Sequence, residues 1–187
     1  MKKQQLRVGF DLDGVLLYNP ARIIRPIIST LKRLLLKKKS LSFYYPHSPL
    51  EKSMWHLFHK SSIFIAPGLS EIKNLIKQKK MKAYIITARY AFLGPELEGW
   101  IKKNKFDTIF EKVYYNAKNE QPHLFKERMI KKLELDVYIE DNYDIVNYLS
   151  QKNKIRILWI YNIFDRGIAF IDKFPSLKSA VMSIFHE

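Results

Sequence analysis

Five short apolar runs recur along this chain, each separated from the next by a helical pattern or a loop, and that alternation constrains its fold more than any other feature. The runs are Leu6 to Leu12, Ala83 to Thr87, Lys112 to Tyr115, Val137 to Asp141 and Ile155 to Tyr161. Between them, Leu69, Ile72, Leu75 and Ile76 carry helical spacing, and the stretches Pro95 to Asn104, Leu124 to Leu133 and Val146 to Gln151 read as further helices. Strand alternating with helix predicts a parallel five-stranded sheet flanked by helices, an α/β architecture. Right-handed crossovers then bring every strand's C-terminal end to one edge, where open α/β sheets bind their ligands.

Three of those ends carry chemistry. The first run closes on Asp11 and Asp13, which are costly in a core unless paired and which share one side of a strand that persists. Gly14 permits a sharp turn and close approach to an ion or phosphate. The same four residues also suit a plain turn. A twelve-residue calcium loop is excluded, because Val15, Leu16, Leu17 and Tyr18 follow where oxygen ligands are needed. The second run ends in Thr87-Ala88-Arg89, where a hydroxyl and backbone N–H groups suit phosphate oxygens; a helix cap is the plainer role for Thr87. The fourth ends in Glu140-Asp141, with Asp144 close behind, a set that repels itself unless a cation compensates. Oxygen ligands of this kind suit Mg²⁺.

Residues 18–64 break the rhythm. A helical apolar stripe runs from Ile23 to Leu35, a turn-like segment carries Tyr44 and Tyr45, and a second helical pattern holds Met54, Trp55 and Leu57. The chain returns at Ala66-Pro67-Gly68, so this insertion is placed as a lid over the acidic edge. The expected division is a core of residues 1–17 and 65–187 with a helical cap of residues 18–64. His56 and His59 share one helix face without the partners of a zinc site, and they read as surface histidines.

At 187 residues, 47% hydrophobic and 14% aromatic, the chain is suited to one well-cored domain and not to disorder. Zero cysteine excludes disulfides, thiolate zinc sites and a cysteine nucleophile. Neither a signal peptide nor a membrane-spanning stretch is expected, so a cytoplasmic protein is the expectation. The net charge of +15 attracts anionic partners in principle. Most of the excess reads as solvated surface, helped near helix C-termini by the helix dipole. The denser run Lys32 to Lys39 is left open between a solvated face and a nucleic-acid contact.

Taken in order, Val8-Gly9-Phe10-Asp11-Leu12-Asp13-Gly14-Val15, Ile85-Ile86-Thr87-Ala88-Arg89, Lys126 at the opening of a helix, and Tyr138-Ile139-Glu140-Asp141 resemble the four motifs of the haloacid dehalogenase-like (HAD) hydrolase superfamily. The resemblance spans residues 6–161. It implies a Rossmann-like core and a Mg²⁺-dependent phosphatase. By that resemblance Asp11 is the nucleophile that becomes an aspartyl-phosphate, and Asp13 is the acid and base. Thr87 and Ala88 hold phosphoryl oxygens, and Lys126 neutralises charge, with Lys131 next in line for that place. Mg²⁺ is held by the Asp11 carboxylate, the Asp13 carbonyl and Asp141, with Glu140 direct or through water. Glu140-Asp141 departs from the paired aspartates or Gly-Asp of many relatives.

An aspartate two places after the nucleophile points to phosphatases, and the small cap resembles the 5′(3′)-deoxyribonucleotidase-like branch. The implied substrate is a phosphorylated small metabolite such as a nucleotide, with Arg89, Tyr44 and Tyr45 as candidates to contact it. Two rival functions share the same residues. One is a nucleic-acid end-processing phosphatase using the basic surface; the other is a non-catalytic protein binding RNA or an anionic surface.

Overall fold

The computed structural model describes residues 5–18, 41–60 and 64–185. The apolar stripe between Ile23 and Leu35 and the basic run Lys32 to Lys39 lie outside the described residues.

Strand β1 (Leu6–Phe10) occupies the middle of the main sheet because it can be buried on both faces. Val8 and Phe10 are fully buried on one side. Gly9 faces the other, where an added Cβ would stand 2.5 Å from Leu135 Cδ1 and 2.8 Å from Tyr138 Cδ2. No side chain fits there, and the missing one lets the opposite layer settle directly on the strand.

Strand β2 (Leu17–Tyr18) follows the turn after β1, and helix α1 (Pro49–Lys60) leads to β3 (Phe64–Ile65). The two short strands pair antiparallel, Leu17 with Ile65 and Tyr18 with Phe64, where residues 18–64 leave and rejoin the core. Helix α2 (Leu69–Lys77), strand β4 (Met81–Tyr90), helix α3 (Gly94–Lys103), strand β5 (Lys112–Asn116) and helix α4 (Pro122–Lys132) come next. The chain closes with β6 (Val137–Glu140), α5 (Tyr143–Lys152), β7 (Arg156–Ile160), β8 (Lys173–Phe174) and α6 (Leu177–Ser183).

The main sheet runs β5-β4-β1-β6-β7-β8, and every neighbouring pair is parallel. Ile72 of α2, Leu97 and Ile101 of α3, and Leu177, Ala180 and Val181 of α6 fill one core layer. Phe125, Met129 and Ile130 of α4 with Ile145, Val146 and Leu149 of α5 fill the other. The α/β expectation is met, with one correction: the sheet has six strands, not five. Strand β8 is two half-buried residues, one of them charged, and has no apolar run to announce it. It exists because Trp159 N–H and Tyr161 N–H need acceptors, which the carbonyls of Asp172 (2.8 Å) and Phe174 (3.1 Å) supply.

Strand β4 also outruns its expected end at Thr87. Thr87 pairs with Tyr115 but Tyr90 pairs with Asn116, so Ala88 and Arg89 bulge out of the ladder. A bulge re-aims the side chains it carries. Among the described residues, no helix is long and apolar enough to cross a membrane.

Candidate active site

The parallel sheet delivers three acids to one edge, as the apolar runs ending in carboxylates lead one to expect. Asp11 leaves β1 with its N–H donating to the Ile139 carbonyl at 3.0 Å, which ties the ends of β1 and β6 together. Oxygens of Asp11, Glu140 and Asp141 then lie within 4.8 Å of one another, all buried. Gly14, at φ 91°, closes the turn with its N–H donating to the Leu17 carbonyl at 2.7 Å. A Cβ there would stand 2.2 Å from Asp141 Oδ2, so only glycine lets the turn lie against that carboxylate.

Lys126 spans this group from the first turns of α4. Its Nζ lies 3.2 Å from Asp11 Oδ1 and 2.5 Å from Glu140 Oε2, and its side chain is 2% exposed. Lys131, one turn further on, is 62% exposed and paired with Glu127. The two lysines are thus sharply distinguished: α4 turns Lys126 under the sheet edge and Lys131 toward water.

Burial pushes the Asp11 carboxyl well above the usual carboxylate range; the Lys126 charge opposes that, and the neighbouring carboxylates Glu140, Asp141 and Asp13 reinforce it. Burial raises Glu140 as well, against the pull of Lys126. Asp141 N–H and Asn142 N–H both donate to Glu140 Oε1, at 3.2 and 3.0 Å. The donor set, three buried carboxylates with one ammonium, is oxygen-only and overloaded with negative charge, and it fits a hard divalent cation.

Asp13 has a different environment. Arg89 donates to it twice, Nε to Oδ2 at 2.8 Å and Nη2 to Oδ1 at 2.7 Å, with both side chains buried. His59 Nδ1, from α1, stands 3.6 Å from Asp13 Oδ2. Burial alone would raise Asp13, but the charge and hydrogen bonds of Arg89, then those of His59, hold it well below the usual range. One carboxylate is therefore held up and its neighbour held down. Thr87, also buried, accepts the Arg89 N–H at Oγ1 (3.3 Å), and Ala88 is half-buried beside it.

Tyr44 and Tyr45 stand further out. Tyr44 is 48% exposed, with its hydroxyl donating to Glu51 Oε1 at 2.6 Å. The Tyr45 ring packs edge-on to Tyr90, centroids 4.9 Å apart, and lies 6.4 Å from Phe92. Arg89, a candidate substrate contact, is spent on Asp13 in this arrangement.

Sequence reasoning missed three participants. His59 reads from the sequence as a surface histidine, but its side chain is only 12% exposed, because α1 docks with that residue against Asp13. The Tyr138 hydroxyl lies 3.2 Å from the Ile86 carbonyl and 3.4 Å from Glu140 Oε2. Trp159, fully buried, donates its indole N–H to the Asp141 carbonyl at 3.1 Å. Its place on an apolar strand beside β6 was the one available signal.

The parallel sheet flanked by helices is a fold this chain shares with HAD-superfamily hydrolases of known structure. A HAD-superfamily hydrolase from Ehrlichia chaffeensis shares it, with a TM-score of 0.55 and 14% identity, covering 98% of this chain and 98% of that one. CbbY from Rhodobacter sphaeroides, solved in complex with phosphate, superposes with a TM-score of 0.59 at 12% identity, covering 92% of this chain and 94% of that one. In sequence, the chain is 23% identical over 164 residues to an Oceanobacillus iheyensis protein whose name reads "Putative nucleotidase", covering 79% of this chain and 83% of that protein. No protein-family model matches the chain.

Proposed function

We propose that this protein is a Mg²⁺-dependent phosphatase that hydrolyses a phosphate monoester of a small metabolite, a nucleotide being the leading candidate, through an aspartyl-phosphate on Asp11. The observation that carries the reading is the gathering of Asp11, Glu140 and Asp141 within 4.8 Å, with Lys126 bridging Asp11 and Glu140.

Asp11, Asp141 and the Asp13 carbonyl would hold Mg²⁺, with Glu140 direct or through water. The bound cation would offset the repulsion between a carboxylate and a phosphate dianion. An Asp11 oxygen bonds to phosphorus as the bond to the leaving oxygen breaks, and that oxygen takes a proton from Asp13. In the second half Asp13 takes a proton from water, which attacks the aspartyl-phosphate and frees phosphate and Asp11. The Arg89 pair favours the basic form of Asp13, the state this second half uses, so the proton it passes to the leaving oxygen in the first half is brought by the monoanionic phosphate of the substrate. Lys126 neutralises charge on Asp11 and the transferring group, while Thr87 and the Ala88 backbone hold phosphoryl oxygens.

In this reading residues 18–64 are the cap, and of its described residues Tyr44 and Tyr45 are the candidates to contact the leaving group. The likeness to a protein named as a nucleotidase supports nucleotides as the first substrates to try. The deciding experiment is phosphate release with and without Mg²⁺ across nucleoside monophosphates, sugar phosphates and 3′- or 5′-phosphorylated oligonucleotides. Release from a nucleoside monophosphate by the wild type, and none by Asp11→Asn, is the expected result. Silence of well-folded wild type on every substrate overturns the reading.

A further inference from the structure

The topology that gathers acids at one edge of the sheet gathers cations at the other. Helices run back against the strands, so helix C-termini and strand N-termini share the edge opposite the acids. Helix α2 ends at Lys77, with Lys79 and Lys80 beyond it, and α3 ends on Lys102 and Lys103, with Lys105 beyond. All six are exposed. Among the described residues, none of the six is ion-paired with a carboxylate. The two helices lie on one face, since Ile72 and Ile101 belong to the same core layer. Glu98 and Asp107 are the acids nearest in sequence, and two carboxylates against six ammonium groups leave the group positive.

The helix dipole accounts for Lys77, Lys102 and Lys103, which sit in last turns. It does not account for Lys79 and Lys105. Both stand just past a helix end in the left-handed region, at φ 55° and 56°. Glycine is the usual occupant of such a position, and an L side chain there costs on the order of 1 kcal/mol. Glu134, just past α4, takes the same conformation at φ 47°, so the position does not itself demand a cation; the chain places one at two of these three helix ends.

We infer that this edge is a docking surface for the phosphate backbone of nucleic acid, separate from the acidic site. Leu6 pairs with Met81 at the basic edge and Asp11 lies five residues on, which at ~3.3 Å per residue separates the two edges by about 17 Å. A bound backbone therefore runs past the protein without threading the acidic site. A nucleic acid fits better than a bilayer. Membrane-surface contacts join cations to inserted apolar side chains. The exposed Leu50 and Leu57 belong to α1, and Ile163 and Phe164 follow the C-terminal end of β7. On the basic edge itself stand Ile171, before β8 and four strands from β4, and the part-exposed Met182, which leaves single apolar side chains and no apolar face beside the lysines.

The test is fluorescence anisotropy of the full chain with a labelled DNA duplex and an RNA duplex of about 20 base pairs, over a series of KCl concentrations. The variant Lys79→Gly/Lys80→Gln/Lys103→Gln/Lys105→Gly is compared with wild type, and Lys79→Arg/Lys105→Arg serves as the charge-preserving control. Wild type is expected to bind with affinity falling linearly in log–log against salt. Losing four phosphate contacts should flatten the DNA slope by roughly 3.6, at ~0.9 per contact, and weaken binding more than tenfold at low salt. The arginine control should bind like wild type. The glycine changes relieve two left-handed positions, so the Tm of the quadruple variant should hold. Binding unchanged in the quadruple variant overturns the inference. So does capture by phosphatidylserine-containing vesicles with no binding to either duplex.

Discussion

Arg89 grips both carboxylate oxygens of Asp13, at 2.8 and 2.7 Å, from the bulge that interrupts β4. Bidentate arginine–carboxylate pairs combine charge with a fixed plane, so this contact sets where Asp13 points as well as its ionisation. Removing one partner of a buried pair strands the other. Arg89→Met should therefore destabilise the fold by about 3 kcal/mol, measured by urea unfolding. In a cycle with Asp13→Asn the double variant should lose clearly less than the two singles together. Simple additivity would mean that the two residues do not act as a pair.

Lys126 and Lys131 lie on the same helix and differ in every relevant respect. Lys126→Met should cut phosphate release at least 10²-fold, the order expected when a charge-stabilising donor is lost from a dry site. Lys131→Met should stay within about twofold of wild type, because its Glu127 pair is on the surface. Steady-state kinetics of the two variants decides it, and a reversal of the two effects would move the catalytic lysine to Lys131.

Metal binding has its own readout apart from turnover. Added Mg²⁺ should raise the Tm of wild type, since a ligand bound only by the native state stabilises it by RT ln(1 + [L]/Kd). EDTA should reverse the rise. Asp141→Asn and Gly14→Ala should both lose it, the first by removing a ligand and the second by driving a Cβ to 2.2 Å from Asp141 Oδ2. A Mg²⁺-dependent rise that survives in both variants would place the cation elsewhere.

Helix α1 brings its own pH dependence. Glu51 closes a capping box with Ser48, its Oε2 accepting the Ser48 N–H at 2.9 Å while its own N–H donates to Ser48 Oγ at 3.2 Å. The Tyr44 hydroxyl, then the Ser48 and His47 N–H groups, lower Glu51 from 4.5 to about 2. A depressed carboxylate contributes above its unfolded value and loses that contribution as pH falls through the folded one. The stability gap between wild type and Glu51→Gln should thus be full above pH 4.5 and close between about 4.5 and 2. Thermal melts of both proteins across that range test it, and a gap independent of pH would remove Glu51 from the account.

The sequence was most informative where an apolar run meets an acid. Asp11 and Glu140-Asp141 announce themselves because carboxylates directly after buried strand residues need a reason to be there. Parallel topology then dictates that they meet. What stayed hidden depends on register and docking. The bulge at Ala88 and Arg89 is a mismatch between β4 and β5, invisible to either strand's own periodicity. His59 shares a helix face with His56, and only the way α1 lies against the core separates them: His56 meets Glu96 at 2.9 Å, and His59 meets Asp13. Strand β8 has no pattern of its own. Helix α6 did leave signals, the reciprocal Ser176–Ser179 capping box and an apolar repeat at Leu177, Ala180, Val181 and Ile184.

The indole of Trp159 makes the acidic site optically audible. Its N–H rests on the Asp141 carbonyl at 3.1 Å, and the ring is sealed from water. Any charge arriving at Asp141 alters the electric field across that ring, and with it the wavelength of its emission. Trp55 instead packs against Tyr44, and Trp100 against Phe106. Occupancy of the site can therefore be followed by the protein's own light, without a substrate or a label.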